Sequence, residues 1–169
     1  MGNDELCRYI KLYHQTVYRA VFSYLHNASE AEDIVQETFV KLFNIDKCFE
    51  SDEHCKAWLI RVATNLSKNL LKSFRYTHTE ELNEALPAES KAECELADAL
   101  SVLPPKYRIV IHLHYFEGYS AKEIAKILGL SVTAVTTRLA RAREKLKALM
   151  TAEDNFHVKP NALMRRDTK

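Results

Sequence analysis

The sequence predicts an all-α protein: two small helical domains joined by a flexible acidic linker. Three observations carry that expectation. The 169 residues include only 3 glycines and 4 prolines, and no sustained apolar–polar alternation marks a half-buried strand. Apolar residues recur instead at helical spacing behind Ser-x-x-Glu start signals, Ser29–Glu32 and Ser120–Glu123. Charge is also segregated. Residues 56–76 hold five basic residues and no acid, residues 77–101 hold seven acids against Lys91, and residues 138–147 are basic again.

The elements follow in order. Leu6, Tyr9, Ile10, Tyr13, Val17, Ala20, Val21 and Tyr24 keep a helical period until Asn27-Ala28 breaks it. A capping box at Ser29–Glu32 opens a second helix, with Ile34, Val35, Phe39 and Leu42 buried and Asp33, Gln36, Glu37 and Lys41 outward. A polar loop, roughly 44–53, leads to a third helix. Its buried face is Leu59, Val62, Ala63, Leu66 and Leu70, and Arg61, Asn65, Lys68, Lys72 and Arg75 line the other side. The stretch 77–90, THTEELNEALPAES, reads as linker, since its acids would be repelled by phosphate. A four-helix module begins near Lys91. Leu96, Leu100 and Leu103 suggest its first helix, Pro104-Pro105 restarts the chain, and Gly118 closes KYRIVIHLHYF.

The last two helices, 120–146, read as a helix-turn-helix. Small Ala125 permits close approach, Gly129 supplies a left-handed turn, Ser131 caps the second helix, and Val135, Leu139 and Leu146 anchor it. Its other side carries Thr133, Thr136, Thr137, Arg138 and Arg141. An ordinary helical hairpin explains the apolar spacing but not hydroxyls and guanidiniums together at the start of one helix. DNA recognition uses that mixture, Arg for phosphate or guanine and Thr for phosphate or thymine methyl. Net charge is only +1, so any nucleic-acid surface must come from local segregation of charge.

Other classes fit less well. Cys7, Cys48, Cys55 and Cys94 form no C-x-x-C pair, and Cys48, His54 and Cys55 alone make a weak metal site, so reduced thiols and no metal or cofactor are expected. No Ser- or Tyr-centred catalytic constellation and no carboxylate cluster with metal spacing is present, and His112 and His114 sit on a helix expected to be packed, which argues against an enzyme. With no bilayer-length apolar run and a polar N-terminus, the chain is expected to be cytoplasmic, without membrane insertion.

Two segments carry a family resemblance. AEDIVQETFVKLF (31–43) with KAWLIRVATNLSKNLL (56–71) resembles domain two of bacterial RNA polymerase sigma factors. LPPKYRIVIHLHYFEGYSAKEIAKILGLSVTAVTTRLARAREKL (103–146) resembles domain four. Without domains one and three, the arrangement is similar to the extracytoplasmic-function group of the sigma-70 family. The resemblance implies domain two over 1–76, the linker over 77–90, domain four over 91–150 and a tail over 151–169 without a counterpart, disordered or a short docking segment. It implies that Asp33, Gln36, Glu37, Phe39 and Lys41 meet the β′ clamp helices of core RNA polymerase and that domain four meets the β flap. It implies −10 promoter contacts from the loop residues Phe49, Ser51 and Asp52 and the helix residues Arg61, Asn65, Lys68, Asn69 and Lys72. It implies −35 contacts from Thr133, Thr136, Thr137, Arg138 and Arg141, and an anti-sigma partner. Trp58, beside Leu59 at a helix start, reads as core rather than as a base-stacking ring. Thr136 and Ala140 stand where the family commonly has larger or basic side chains, and the loop CFESDEHC is acidic for a strand-capturing loop. A stand-alone helix-turn-helix regulator is the alternative, but it leaves 31–72 without a purpose.

Overall fold

The structure, a computed structural model, describes residues 3–45, 49–77 and 99–153. The linker beyond Thr77, the tail beyond Glu153, Cys48 and Cys94 lie outside the described residues. All described regular structure is helical.

Helix α1 (Asn3–Leu25) begins with Asp4 and Glu5, whose charges oppose the positive end of the helix dipole. It buries Tyr9, Val17, Ala20, Val21 and Phe22. His26 ends it in a left-handed conformation, φ 59°, with its N–H donating to the Phe22 carbonyl (2.8 Å) and its ring against Phe22.

Helix α2 (Ala28–Asn44) starts two residues earlier than its expected capping box implies. Asn27, extended at φ −138° and ψ 119°, accepts the Glu30 N–H at 2.9 Å. Ser29 and Glu32 lie inside the helix, and Glu32 instead pairs with His14 across to α1 (3.2 Å). Helix α3 (Asp52–Thr77) is capped by Ser51, whose Oγ accepts the His54 N–H at 3.1 Å. These three helices enclose one core. Phe22, Leu42 and Leu59 lie fully within it, each burial contributing about 1.5–3 kcal/mol.

In the second module, residues 99–102 are helical and Pro104 leads into α4 (Pro105–Ile111), with proline at the first turn where no N–H is needed. The chain continues as a π-helical turn, His112–Phe116, and Gly118 at φ +76° redirects it. Helix α5 (Ala121–Leu128) opens with the expected capping box. Glu123 accepts the Ser120 N–H at 2.8 Å while the Ser120 hydroxyl accepts the Glu123 N–H at 3.3 Å. Gly129 at φ +64° ends it, and Ser131 Oγ caps α6 (Val132–Glu153) by accepting the Ala134 N–H at 3.1 Å. Val135, Leu139, Ala142 and Leu146 close the core against Ile109, Leu113 and Ile124.

The modules do not stand apart. Ala20 of α1 and Ile60 of α3 are buried in the second module's core, with Tyr24 and Ala57 partly buried against it. The Arg108 guanidinium, 7% exposed, reaches across to the end of α1. It donates to the Ser23 carbonyl (2.9 Å), the Tyr24 carbonyl (3.0 Å) and, in its own module, the Ser101 carbonyl (2.7 Å). Lys56 of α3 pairs with Glu117 at 2.7 Å and lies over the Tyr119 ring. The arc of α3 expected to be buried is therefore displaced. Leu59 and Ala63 are buried, Val62, Leu66 and Leu70 are only half-buried, and Ile60, Thr64 and Ser67 are buried as well. The Thr64 and Ser67 hydroxyls donate to carbonyls one turn back, Ile60 at 2.7 Å and Ala63 at 2.8 Å, so burial leaves neither unsatisfied.

Candidate nucleic-acid interface

Helix α6 buries a single narrow stripe and leaves most of its circumference exposed. Thr133, Thr137 and Arg141 are exposed and Arg138 is half-buried. These four face Lys106 and Tyr107 at the start of α4 across a shallow open groove. Burial raises the Tyr107 phenol, but a hydrogen bond with Arg141 and the charges of Lys106, Arg141 and Lys145 outweigh it and hold its pKa below the ordinary value. The groove thus has cations on both walls. Lys106 and Tyr107 were not among the residues read from the sequence, because only the fold brings α4 beside α6.

Thr136 is exposed but does not line this groove. Its hydroxyl is already bonded to its own helix, donating to the Val132 carbonyl (3.2 Å) or the Thr133 carbonyl (3.0 Å). It sits about 100° around the helix from Thr137.

On α3, Arg61, Asn65, Lys68, Asn69 and Lys72 are all exposed. Three cations and two amides form one stripe on the side of α3 away from both cores, suited to a nucleic-acid backbone and base edges. The preceding loop is organised differently from the sequence expectation. Phe49 is half-buried in an aromatic cluster, edge-on to Tyr9 (6.4 Å), His54 (5.6 Å) and Trp58 (5.7 Å). Ser51 serves as the helix cap. Asp52 receives a two-pronged bond from Arg8 at 2.7 and 2.9 Å, which holds its carboxyl below the usual range. Each of these three loop residues already has a structural occupation, and Trp58 packs beside them.

On α2, Asp33, Gln36, Glu37 and Lys41 are exposed, with Glu37 and Lys41 paired at 3.2 Å. Phe39 departs from the expected contact face. It is 7% exposed, in the core and stacked on His14, so it supports the face from beneath. The apolar residues that do reach the surface there are Val40 (57% exposed) and Phe43 (47%). The two lie three apart on one helix, a spacing visible in the sequence but readable there as core.

Among the described residues, no group of three or more His, Cys, Asp and Glu side chains could hold a metal, and no helix is long and apolar enough to cross a membrane. Cys55 is buried, and burial, helped by the charges of Asp52 and Glu5, pushes its thiol up to about 12, which keeps it protonated at neutral pH.

Comparison with known proteins bears on these surfaces. Residues 9–75 match the family "Sigma-70 region 2" and residues 95–146 match "Sigma-70, region 4". The ECF RNA polymerase sigma factor SigW of Bacillus subtilis is 32% identical over 165 residues, covering 85% of this chain and 88% of that protein. RNA polymerase sigma factor SigV of the same species is 31% identical over 146 residues, covering 83% and 87%. Among solved structures, the sigma factor RpoE in complex with the anti-sigma factor NepR, from Bartonella quintana, superposes with a TM-score of 0.75. It is 25% identical, with 88% of this chain and 98% of that one covered.

Proposed function

The chain belongs to the extracytoplasmic-function group of sigma-70 RNA polymerase sigma factors, directing transcription initiation, and from that premise we propose how its surfaces divide the work. Residues 1–76 form domain two, 77–90 the linker, 91–150 domain four and 151–169 a tail. The exposed face of α2, with Asp33, Gln36, Glu37 and Lys41 flanked by Val40 and Phe43, binds the β′ clamp helices of core polymerase. Charge around an apolar centre suits a helical partner. Domain four meets the β flap. The polar stripe of α3 follows the opened −10 strand, and the groove between α4 and α6 receives the −35 duplex. Phe39, Phe49 and Asp52 act through packing or pairing rather than by touching a partner. The chain supplies no catalysis, needs no cofactor and works in the cytoplasm. An anti-sigma factor is its regulator, a reading supported by the complexed state of the RpoE structure it resembles.

The observation that carries the reading is the presence of two separate cationic faces, on α3 and α6, each on a module of its own. A stand-alone regulator would need only the second. Run-off transcription from genomic fragments with reconstituted core polymerase tests it. Promoter-specific transcripts that require both the chain and core are expected. A chain that binds duplex DNA but neither binds core nor programs initiation would return the reading to the stand-alone regulator.

A further inference from the structure

We infer that Arg8 of α1 is a positioning residue for the −10 element: together with Tyr9 it clasps the segment 49–52 and fixes where that segment stands beside the polar stripe of α3. The inference rests on the −10 role proposed for α3, and extends it to a helix that holds none of the promoter contacts named above.

Two consecutive residues of α1 hold the two ends of the segment. Arg8 sets its guanidinium on the Asp52 carboxylate as a fork, Nη1 donating to Oδ2 at 2.9 Å and Nη2 to Oδ1 at 2.7 Å. The partners are 44 positions apart in sequence. Tyr9, 3% exposed, meets the Phe49 ring edge-on at 6.4 Å. The Arg8 guanidinium also lies over the Tyr9 ring, 4.7 Å from its centre, so the two grips brace each other. Between the ends, Ser51 is committed to capping α3. Asp52 is itself the first residue of the helix that carries Arg61, Asn65, Lys68, Asn69 and Lys72. The clasp therefore ties the segment and the stripe into one surface.

Stability is not what this pair supplies, because both partners are half in solvent and exposed ion pairs add little. The fork supplies direction, since two parallel N–H···O bonds to one carboxylate admit a single approach. Direction matters where an opened strand must meet a surface already in place, because ordering a loop at that moment costs affinity. The clasp also accounts for an oddity of composition. Glu50, Asp52 and Glu53 put three carboxylates where phosphate has to approach. Asp52 is turned to Arg8, so this acid is a ligand of the clasp and its charge is answered within the protein.

The test uses the full-length chain with core polymerase on a promoter found by run-off transcription. Permanganate reactivity of unpaired thymines reads opening, and duplex binding at the −35 element and core affinity are measured on the same variants. Arg8→Ala should slow opening about ten-fold, as a misplaced contact does. It should also flatten the preference among single-base variants of the −10 element, with core affinity and −35 binding unchanged. Arg8→Ala combined with Asp52→Ala removes the stranded carboxylate and should stay slow, since position has been lost along with charge. The exchange of Arg8→Asp with Asp52→Arg rebuilds an ion pair between the same two helices and should recover rate and preference. Circular dichroism checks that each variant keeps its helices, and the recovering exchange separates lost position from lost fold. Wild-type opening and −10 preference in Arg8→Ala overturn the inference. So does full recovery in the double alanine variant, which would reduce Arg8 to a neutralising charge. A wild-type complex that opens no promoter overturns the functional reading itself, whereas equal opening by wild type and Arg8→Ala leaves that reading standing and removes only the clasp.

Discussion

Helices α3 and α6 both present cations, yet they are built in opposite ways. On α6 the buried residues Val135, Leu139, Ala142 and Leu146 fall within about 60° of arc at 3.6 residues per turn. On α3 the buried residues Cys55, Leu59, Ile60, Ala63, Thr64 and Ser67 span about 180°. A helix held along one seam stands proud of its module and can enter a groove. A helix held over half its circumference is a wall, able to support a strand along one stripe but unable to insert. The difference suits the roles proposed for them, a duplex reader on α6 and a single-strand guide on α3.

The largest effect should come from the wall. Leu59 is 0% exposed, and Leu59→Ala should cost about 2–5 kcal/mol of stability, because the double cover leaves little freedom to collapse around the cavity. Chemical denaturation monitored by circular dichroism measures it. A loss under 1 kcal/mol would mean that α3 is less tightly held than its burial implies.

Next comes a pH effect at the seam behind α3. His112 lies buried with Nε2 lacking a hydrogen-bond partner, 3.8 Å from Glu117. Burial, with Arg19 and Lys56 adding and Glu117 opposing, pushes its pKa down to about 4 from 6.5. The folded state therefore binds fewer protons than the unfolded chain between those values. Stability should fall as pH drops from about 6.5 to 4, by up to about 3 kcal/mol. In His112→Gln that part of the slope should vanish. An unchanged slope in the variant assigns the acid sensitivity to other groups.

On α6 the effects should be smaller and should separate by kind. Arg141→Ala should weaken all duplexes alike and lower the salt slope by about one, as a lost phosphate contact does. Thr136→Lys should change preference at one position of the −35 element by roughly 1–3 kcal/mol, since it adds a long cation on an edge now carrying only a self-bonded hydroxyl. Binding to single-base promoter variants at two salt concentrations distinguishes these, and an unaltered profile in both variants would remove α6 as the reading head.

The smallest stability change is expected on the stripe of α3. Lys68→Ala and Lys72→Ala, both exposed, should alter stability within about 0.5 kcal/mol while each lowers the salt slope for single-stranded −10 DNA by about 0.7. Equal losses on single-stranded and duplex probes would erase the contrast between wall and reader.

Much of this was legible in the sequence because it is local. The Ser120–Glu123 box, the turn at Gly129 and the stripes of α3 and α6 follow from spacing within one or two turns. The start of α2 departs from the capping template for an equally local reason. Ser29 and Glu32 fit the capping template, but Asn27 fits the cap position two residues earlier and its extended backbone takes it. What spacing could not disclose is contact between distant segments. Ile60 lies one residue from Leu59, so its period is that of its own module while its neighbours are in the other. Lys106 and Tyr107 were invisible as groove walls for the same reason, whereas spacing alone puts Phe39 on the buried stripe with Ile34, Val35 and Leu42.

Arg108 bonds the carbonyl end of a helix whose last residue lies 83 positions before it in sequence. A fragment stopping at Thr77 would contain every residue of α1, α2 and α3 and still lack the guanidinium that bonds the last carbonyls of the first of them. The Ser23 and Tyr24 carbonyls would turn to water, and Ala20 and Ile60 would become surface. Dissecting this chain at its linker would thus create a new apolar patch and a looser helix end, and measurements on the separate halves would describe molecules that the intact chain does not contain.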